Sequence, residues 1–206
     1  MRGEEHSRLS RRDRILDAAR DIFLRESYTG ASMESVAQKA GVSKQTIYNH
    51  FANKDELFRA LVLDICARSS IALGDPSDVL DREPEEVLTH FGETVLKHKS
   101  CSDTMHLHRL LQLEGRNHPS LAESFYKFGP DRTAGWLKQY LEAQVDRGRL
   151  HVDEPRVAAE QFVTMLVGHL RLRHLLGMTG VPDKAERSRY VTSAVNIFLN
   201  GTRPRQ

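Results

Sequence analysis

Apolar residues recur at helical spacing along most of the chain. Between Ile15 and Phe23 they fall three and four positions apart, which is the pattern of a helix that buries one face. Ser10, followed three residues later by Asp13, resembles a capping box, so the first helix is predicted to begin just before these apolar positions and to end within residues 27–30. No run alternates apolar and polar residues between turn signals, so the chain is predicted to be all-α.

Two short helices are predicted next, with a tight turn between them. Ser32 is expected to cap the second helix, which Gly41 ends. Ser43 is expected to cap the third helix, which buries Ile47 and Phe51 and leaves the polar residues between them facing outward. This order is typical of a helix-turn-helix, whose second helix reads bases in the DNA major groove.

The remainder of the chain also favours helices. Asn53 and Glu56 form a capping pair at the start of a long fourth helix, which fades at residues 74–76. Prolines lie at or near the later helix starts, and Gly148 and Gly177 lie at two of the predicted ends. The chain is thus predicted to hold about nine or ten helices. The later ones span about 84–99, 103–115, 119–128, 131–147, 155–177 and 184–200.

Length and charge limit what the helix-turn-helix can be attached to. A chain of 206 residues with 39% hydrophobic residues can form one small domain and one larger domain. The formal net charge is +2, with 11 Lys and Arg against 9 Asp and Glu up to Ala60 and 19 of each after it. A basic arm precedes the apolar positions of the first helix and could reach DNA phosphates or a minor groove. Its members are Arg8, Arg11, Arg12 and Arg14.

Cysteine content and hydropathy predict a protein of the cytoplasm. Cys66 and Cys101 are the only cysteines, and a chain without a disulfide framework suits a reducing compartment. Neither a signal peptide nor an apolar run of about 20 residues is visible, so we expect no membrane span. Cys101 falls near a predicted helix start, where a thiolate is favoured, and a role in oxidant sensing stays open for it.

Four segments of the N-terminal region carry a family resemblance. They are SMESVA at 32–37, GVSK at 41–44, IYNHF at 47–51 and KDEL at 54–57. Together they resemble the DNA-binding region of the TetR family of transcriptional regulators. The resemblance implies a helix-turn-helix DNA-binding domain over residues 1–55 and a helical domain for effector binding and dimerisation over residues 56–206.

The resemblance also implies a set of contacts with DNA. Lys44, Gln45 and Asn49 are expected to face the major groove. Lys44 can read guanine O6 and N7, and Gln45 can pair with adenine N6 and N7. The backbone amides and the positive dipole end of the helix at Ser43 suit a phosphate. The residues expected to approach the DNA backbone are Ser32, Thr46, Tyr48, His50 and Lys54. The tyrosine and the histidine of this set could instead be packing residues.

Two long helices near the C-terminus bear apolar residues over a wide arc. About half the circumference of the helix that starts near residue 155 is apolar, whereas one core contact requires only roughly 100°. With the final helix it could form a four-helix interface across a twofold axis. Such a dimer would set two recognition helices about 34–36 Å apart, or a small multiple of that distance, on a palindromic operator. The alternative is a large monomeric core. The residues expected at the interface are Val163, Leu166, Val167, Leu170, Val191, Val195 and Phe198.

The chain from Met105 to Phe162 is similar to the C-terminal domain of AefR-like regulators, although more loosely than the N-terminal region matches its family. Several such regulators govern efflux or stress genes, which implies a drug-like or signal-like effector. Apolar walls with a few polar groups, as a small-molecule pocket needs, are predicted on three helices. The same pattern fits an ordinary core. The candidate pocket residues are Phe91, Thr94, His98, Trp136, Tyr140, Phe162, Met165 and His169.

Other functions find less support in the sequence. His106 and His108 would project about 200° apart on one helix and could not share a metal ion. No nucleophile elbow, phosphate-binding loop or metalloenzyme motif favours an enzyme. We therefore expect a homodimeric regulator without metal or cofactor, a repressor of efflux, stress or metabolic genes that a largely apolar small molecule releases from DNA. A DNA-bound adaptor whose C-terminal domain binds a protein is the alternative.

Overall fold

The computed structural model describes residues 10–99, 102–178 and 182–202. Within these ranges the chain forms ten α-helices, one 3-10 helix and one π-helical segment without any strand, which confirms the all-α prediction. Arg8 of the basic arm and Cys101 lie outside the described residues. The helices are α1 (Arg11–Glu26), α2 (Met33–Ala40), α3 (Lys44–His50), α4 (Lys54–Leu73), α5 (Pro84–Lys99), α6 (Ser102–Glu114), α7 (Pro119–Tyr126), α8 (Arg132–Asp146), α9 (Pro155–Leu175) and α10 (Lys184–Thr202).

The first helix starts, and the second helix ends, where the sequence predicts. Ser10 Oγ accepts a hydrogen bond from the Asp13 amide at 3.2 Å, and the Asp13 carboxylate accepts one from the Ser10 amide at 3.2 Å. This reciprocal pair satisfies two amides that would otherwise lack partners near the helix start. Gly41 ends α2 with a φ of 64°, a left-handed conformation that strains residues with a Cβ atom.

The fourth helix begins with a variant of the predicted capping pair. The Glu56 amide donates to Asn53 Oδ1 at 2.8 Å, as expected. The Glu56 carboxylate accepts from the amide of Ala52 at 2.8 Å, one residue earlier than a capping box predicts. The helix ends at Leu73, and Gly74 follows with a φ of 69°, which confirms the predicted end.

The first of two compact units groups the N-terminal helices with most of α6 and α7. Its residues lie within Met1–Ile65 and His106–Phe125. Phe23, Tyr28 and Phe58 form its aromatic centre, where the Phe23 and Phe58 rings meet edge to face with centroids 5.3 Å apart. This unit is discontinuous in sequence and larger than the expected N-terminal domain, whose boundary stays a prediction.

The second unit comprises residues within Cys66–Met105 and Tyr126–Gln206. Its helices α5, α8, α9 and α10 share one apolar core, in which Leu88, Leu137 and Leu166 are completely buried. Such burial is the main favourable contribution to the stability of the fold. None of the described helices is both long and apolar enough to cross a bilayer.

Two short elements escaped prediction from the sequence. A 3-10 helix spans Pro76–Val79 after α4, and a π-helical segment spans Lys127–Asp131 between α7 and α8. Pro130 lies inside the π-helical segment and has no amide hydrogen to donate, so the regular α-helical pattern is interrupted there. Both elements are too short to show a hydrophobic period, which explains why the sequence pattern did not indicate them.

Candidate nucleic-acid interface

Helices α2 and α3 form a helix-turn-helix with a small apolar interior. Met33, Val36 and Ala37 of α2 are buried, as is Ile47 of α3. The helices have only eight and seven residues, so tertiary packing rather than intrinsic helix stability must hold them in place. Helix α2 packs on both α1 and α3. The position of α3 therefore depends on the position of α2.

The polar side chains of α3 are largely at the surface, as predicted. Tyr48 is 39% exposed, so its ring is not a core residue of this chain. Exposed side chains with hydrogen-bonding groups, carried on a helix that fits a major groove, are what base readout requires. The exposed residues are Lys44, Gln45, Tyr48, Asn49 and His50, and Thr46 is half-buried.

Lys44 contacts Glu34 across the turn. Both side chains are well exposed. The hydrogen bond between them raises the pKa of Lys44 and lowers the pKa of Glu34, so both groups are charged at neutral pH. Solvent weakens such a surface ion pair, and a stronger partner can displace either group. The ammonium is thus held at the N-terminal end of α3 without being buried.

Gln45 and Asn49 form a hydrogen-bonded pair one helical turn apart. Gln45 Nε2 donates to Asn49 Oδ1 at 2.9 Å. A carboxamide carries both an acceptor oxygen and an NH₂ donor, so this bond does not engage Gln45 Oε1 or Asn49 Nδ2. The pair orients two amide planes on the exposed face, and amide groups are suited to reading adenine.

The hydroxyl groups expected near the DNA backbone already cap helices. Ser32 Oγ accepts from the Ser35 amide at 3.0 Å, and Ser43 Oγ accepts from the Thr46 amide at 3.1 Å. Thr46 Oγ1 also lies 2.8 Å from Ser43 Oγ. These bonds fix the N-termini of α2 and α3, where further backbone amides can meet a phosphate. Contact of these residues with DNA stays a prediction.

Lys54 has a structural role that sequence reasoning missed. Its Nζ donates to the carbonyl oxygens of Tyr28 at 3.0 Å and Ala31 at 3.1 Å. The same atom lies 4.4 Å from the centroid of the Tyr28 ring, within the range of a cation–π contact. The ammonium therefore holds the loop between α1 and α2, and the predicted contact of Lys54 with DNA stays a prediction.

A second contact of this loop was not predicted from the sequence either. The Thr29 amide and hydroxyl both donate to the carboxylate of Glu114, at 3.2 and 2.8 Å. Glu114 ends α6 and is 85 residues away in sequence. No local pattern links residues so distant, so only the folded structure could reveal this pair.

Four of the candidate pocket residues form one aromatic cluster in the second unit. The Phe91 ring centroid lies 5.3 Å from that of Trp136 and 6.1 Å from that of Phe162, and Trp136 stacks on Tyr140 at 6.1 Å. Phe91, Tyr140 and Phe162 are completely buried. The cluster thus combines three rings of the core with a more accessible indole.

The hydroxyl of Tyr140 is the one polar group of this cluster that lacks a hydrogen bond among the described residues. Burial raises the pKa of Tyr140 to about 12, so the hydroxyl is neutral and can donate. The indole Nε1 of Trp136 instead donates to the carbonyl oxygen of Gly74 at 2.9 Å. A buried polar group without a partner costs stability, so it marks a position where a ligand could add a hydrogen bond.

The other four candidates lie less deeply in the fold. Thr94 and His98 of α5 are half-buried. Met165 is half-buried and packs against the core. His169 is exposed on α9, so it does not line an interior site within this chain. Its expected place in a pocket therefore does not follow from the fold of one chain.

The residues expected at a dimer interface mostly pack inside the chain itself. Val163 and Val167 are half-buried, whereas the other five belong to the buried core. The Phe198 ring, for example, meets the Phe162 ring edge to face with centroids 5.0 Å apart. Five of the seven residues thus contribute to the core of this chain, and contact of the set with a partner chain stays a prediction. The five core residues are Leu166, Leu170, Val191, Val195 and Phe198.

Other faces of α9 and of α10 each carry an exposed apolar residue. On α10 this residue is Ile197, which is 62% exposed and lies beside polar residues that line a shallow surface depression. On α9 it is Leu172, which is 51% exposed. The residues lining the depression are Ser188, Arg189, Thr192, Ser193, Asn196 and Ile197.

Comparisons with known proteins agree with this architecture. The family model described as bacterial regulatory proteins of the tetR family matches residues 15–61. The model described as the C-terminal domain of AefR-like transcriptional repressors matches residues 86–201. The HTH-type transcriptional regulator UidR of Escherichia coli K12 is 29% identical over 119 residues, which are 54% of this chain and 61% of UidR. The match thus spans less than two thirds of that curated relative.

Solved structures match almost the whole chain. The flavonoid-responsive regulator FrrA is 30% identical with a TM-score of 0.81, over 95% of this chain and 98% of FrrA. A TetR-family transcriptional regulator from Mesorhizobium loti is 26% identical with a TM-score of 0.83, over 94% of this chain and 97% of its own. Proteins of this family are DNA-binding regulators that act as dimers, not enzymes. The chain belongs to the TetR family of transcriptional regulators, with an AefR-like C-terminal domain.

Proposed function

We propose that this regulator is a repressor that binds a palindromic operator as a homodimer in the cytoplasm and leaves it when a largely apolar small molecule binds. The observation that carries the DNA-binding part is the exposed polar face of α3, where Lys44 stands beside the Gln45–Asn49 amide pair. Repression is supported by the match of residues 86–201 to a family described as transcriptional repressors. Efflux, stress and metabolic genes are the proposed targets.

The exposed faces of α9 and of α10 are our candidate for the dimer interface. Ile197 and Leu172 are large apolar side chains that lose contact with water when a second copy packs on them. Gly168 of α9 has only a Thr164 methyl within 4 Å of an added Cβ, so a partner helix can approach this face closely. Two chains related by a twofold axis would present two α3 helices about 34–36 Å apart, the spacing of successive major grooves.

The aromatic cluster of the second unit is our candidate for the effector site. Phe91, Trp136 and Phe162 would surround an aromatic molecule, and the Tyr140 hydroxyl would donate to a polar oxygen of that molecule. The likeness to a flavonoid-responsive regulator supports an aromatic, hydroxylated effector. An effector releases DNA only if it binds better to the form whose recognition helices are wrongly spaced.

Base readout is tested first, with an operator selected from a random DNA pool by the purified chain. Lys44→Ala and Gln45→Ala should each bring operator affinity closer to the affinity for scrambled DNA, by about tenfold, because a bidentate base contact discriminates by about 1–3 kcal/mol. Lys39→Ala removes an exposed lysine from α2 as a charge control and should keep the discrimination. Equal losses for operator and scrambled DNA in all three variants would contradict this assignment.

Effector release is tested with flavonoids and, as an aliphatic comparison, with fatty acids. At least one flavonoid should weaken operator binding of the wild-type chain, and Tyr140→Phe should raise the concentration needed by about tenfold while leaving ligand-free operator affinity unchanged. Compounds that bind the chain without changing operator affinity would overturn the release mechanism. A chain that binds its operator but none of these compounds would favour the adaptor alternative.

A further inference from the structure

The loop between α1 and α2 is held by a carboxylate from α6. The Thr29 amide donates to Glu114 Oε1 at 3.2 Å, and the Thr29 hydroxyl donates to Glu114 Oε2 at 2.8 Å. Glu114 is buried, with 9% of its surface exposed, whereas Thr29 is at the surface. The Ser27 side chain also hydrogen-bonds to this carboxylate. Because loop residues satisfy a buried acceptor, the loop has a strongly preferred position.

The same loop is held from a second side. Lys54 Nζ donates to the carbonyl oxygens of Tyr28 and Ala31, which flank the Thr29 contact. Ser27 begins the loop with a φ of 81°, a conformation that costs energy in a residue with a side chain. Lys54 thus binds loop carbonyls while Glu114 binds a loop amide and hydroxyl. Removal of either group frees the loop to relax its strained start.

The turn between α6 and α7 is itself well fixed. The carbonyl oxygen of Glu114 accepts from the amides of Asn117 at 3.0 Å and His118 at 2.9 Å. The His118 ring then packs on the Tyr28 ring with centroids 4.6 Å apart. Two neighbouring contacts therefore come from one turn, which makes the α6–α7 turn a rigid support for the loop.

The end of this loop is the start of α2. Ser32, three residues after Thr29, is the N-cap of α2, and α2 packs on α3. Because α2 and α3 are too short to be stable alone, a displaced loop shifts the whole helix-turn-helix. Loss of the Glu114 contact would thereby misplace the α3 side chains that face DNA, and small displacements suffice to lose directed hydrogen bonds.

We propose that Glu114, which lies outside the helix-turn-helix motif, is a positioning residue for operator binding. It acts through Thr29, and it does not touch DNA. The proposal rests on the DNA binding of this family and not on the response to an effector. A chain that binds its operator but ignores every small molecule would leave it standing.

The charge of Glu114 allows a positioning role to be separated from a general charge effect, because the two change DNA affinity in opposite directions. Replacing a carboxylate by an amide makes the net charge of the chain, which is already +2, more positive, and this favours binding to DNA in general. A positioning role for Glu114 predicts the opposite change, a loss of operator affinity. Glu114→Gln in the full-length chain should weaken operator binding by about tenfold, the effect of losing one hydrogen bond to a charged group. Glu123→Gln removes the same charge from an exposed position of α7 and should leave operator binding equal or slightly stronger.

Thr29 supplies a second, independent pair of variants. Thr29→Val keeps the shape of the side chain but removes the hydroxyl donor, so it should also weaken operator binding. Thr29→Ser keeps the hydroxyl donor and should bind operator as the wild type does. The double variant Glu114→Gln with Thr29→Val should be no worse than the weaker-binding single variant, because both remove the same contact. Thr29 is exposed, so these variants should keep the fold even if Glu114→Gln does not.

The measurements are fluorescence anisotropy with operator and scrambled duplexes, together with circular dichroism to establish that each variant is folded. The proposal is overturned if folded Glu114→Gln binds operator as well as Glu123→Gln does. It is also overturned if Thr29→Val and Thr29→Ser bind operator equally well.

Discussion

Lys44 and Glu34 form an ion pair that links the start of the recognition helix α3 to the first turn of α2. Lys44 is also the residue we expect to reach a guanine, so the pair has to open when DNA binds. Both side chains are exposed, at 65% and 54%, which means that water and salt already weaken their attraction. Glu34 thus serves as a local partner that DNA must replace.

Glu34→Gln should therefore strengthen DNA binding. The variant frees Lys44 and removes a negative charge close to the DNA phosphates, so affinity for operator and for scrambled DNA should both rise by about twofold to tenfold. Anisotropy titrations at several salt concentrations measure the gain. Glu154→Gln removes an exposed carboxylate in the second unit and is the matched control. Unchanged or weaker binding by Glu34→Gln would show that the pair orients Lys44 instead of restraining it.

Lys54→Met should destabilise the chain. The substitution keeps an unbranched side chain against Tyr28 but removes the ammonium that donates to two loop carbonyls, a loss of about 1–3 kcal/mol in the free energy of unfolding. Urea unfolding measures this change. Lys39→Met, at an exposed lysine of α2, should have a much smaller effect. A normal stability together with weaker DNA binding would instead assign Lys54 to phosphate contact alone.

Lys44 and Lys54 show which features of the structure could be predicted from the sequence and which could not. The exposure of Lys44 followed from a helical period and a cap at Ser43, both of which depend on neighbouring residues. The place of Lys54 depends on carbonyl groups of a loop more than twenty residues earlier, and backbone carbonyls have no sequence signature. The helix bounds were predictable because they, like the exposure of Lys44, depend on neighbouring residues. The Thr29–Glu114 contact joins residues far apart in the sequence and was not predictable.

The residues expected at the dimer interface, whose contact with a partner stays a prediction, show a related limit of sequence patterns. A wide apolar arc on α9 indicated two contact surfaces, but the pattern did not reveal which residues meet the chain's own core. Phe162 and Phe198 pack on each other within one chain, and Ile197 is the large apolar residue that α10 leaves exposed. Apolar periodicity gives the faces of a helix, and only the tertiary fold assigns them to neighbours.

The contribution of Glu114 to stability should depend on pH. The hydrogen bond from the Thr29 hydroxyl is the largest cause that lowers the pKa of Glu114, and it outweighs the opposing effect of burial. A carboxyl with a lowered pKa in the folded state stabilises that state above its ordinary pKa of about 4.3, and this contribution is lost as pH falls through the lowered value. The wild-type chain should therefore lose stability in acid faster than Glu114→Gln does.

Urea unfolding of both proteins between pH 7 and pH 3 measures this difference. The advantage of the wild type in unfolding free energy should be constant near neutral pH and should shrink at the acid end. A difference that stays the same over the whole range would mean that the charge of Glu114 does not contribute to the fold.

Two helical glycines should respond to alanine in opposite ways. A Cβ at Gly92 of α5 would lie 3.0 and 3.2 Å from the two methyl groups of Val191, so Gly92→Ala should lower the free energy of unfolding by about 1–3 kcal/mol. A Cβ at Gly135 of α8 would meet nothing within 4 Å, so Gly135→Ala should raise it by about 0.5–1 kcal/mol. Thermal unfolding compares the two variants. A stabilising Gly92→Ala would mean that α5 and α10 can move apart at little cost.

The discontinuous first unit has a consequence for protein synthesis. Its later segment, His106–Phe125, follows forty residues that belong to the second unit. A ribosome therefore has to release the chain beyond Glu114 before Thr29 can contact this carboxylate of α6. The helix-turn-helix leaves the exit tunnel early, yet it receives its full support only after more than half of the protein has been translated. We expect nascent chains that end before this segment to bind no operator tightly, so DNA binding begins only when effector-domain synthesis is well under way.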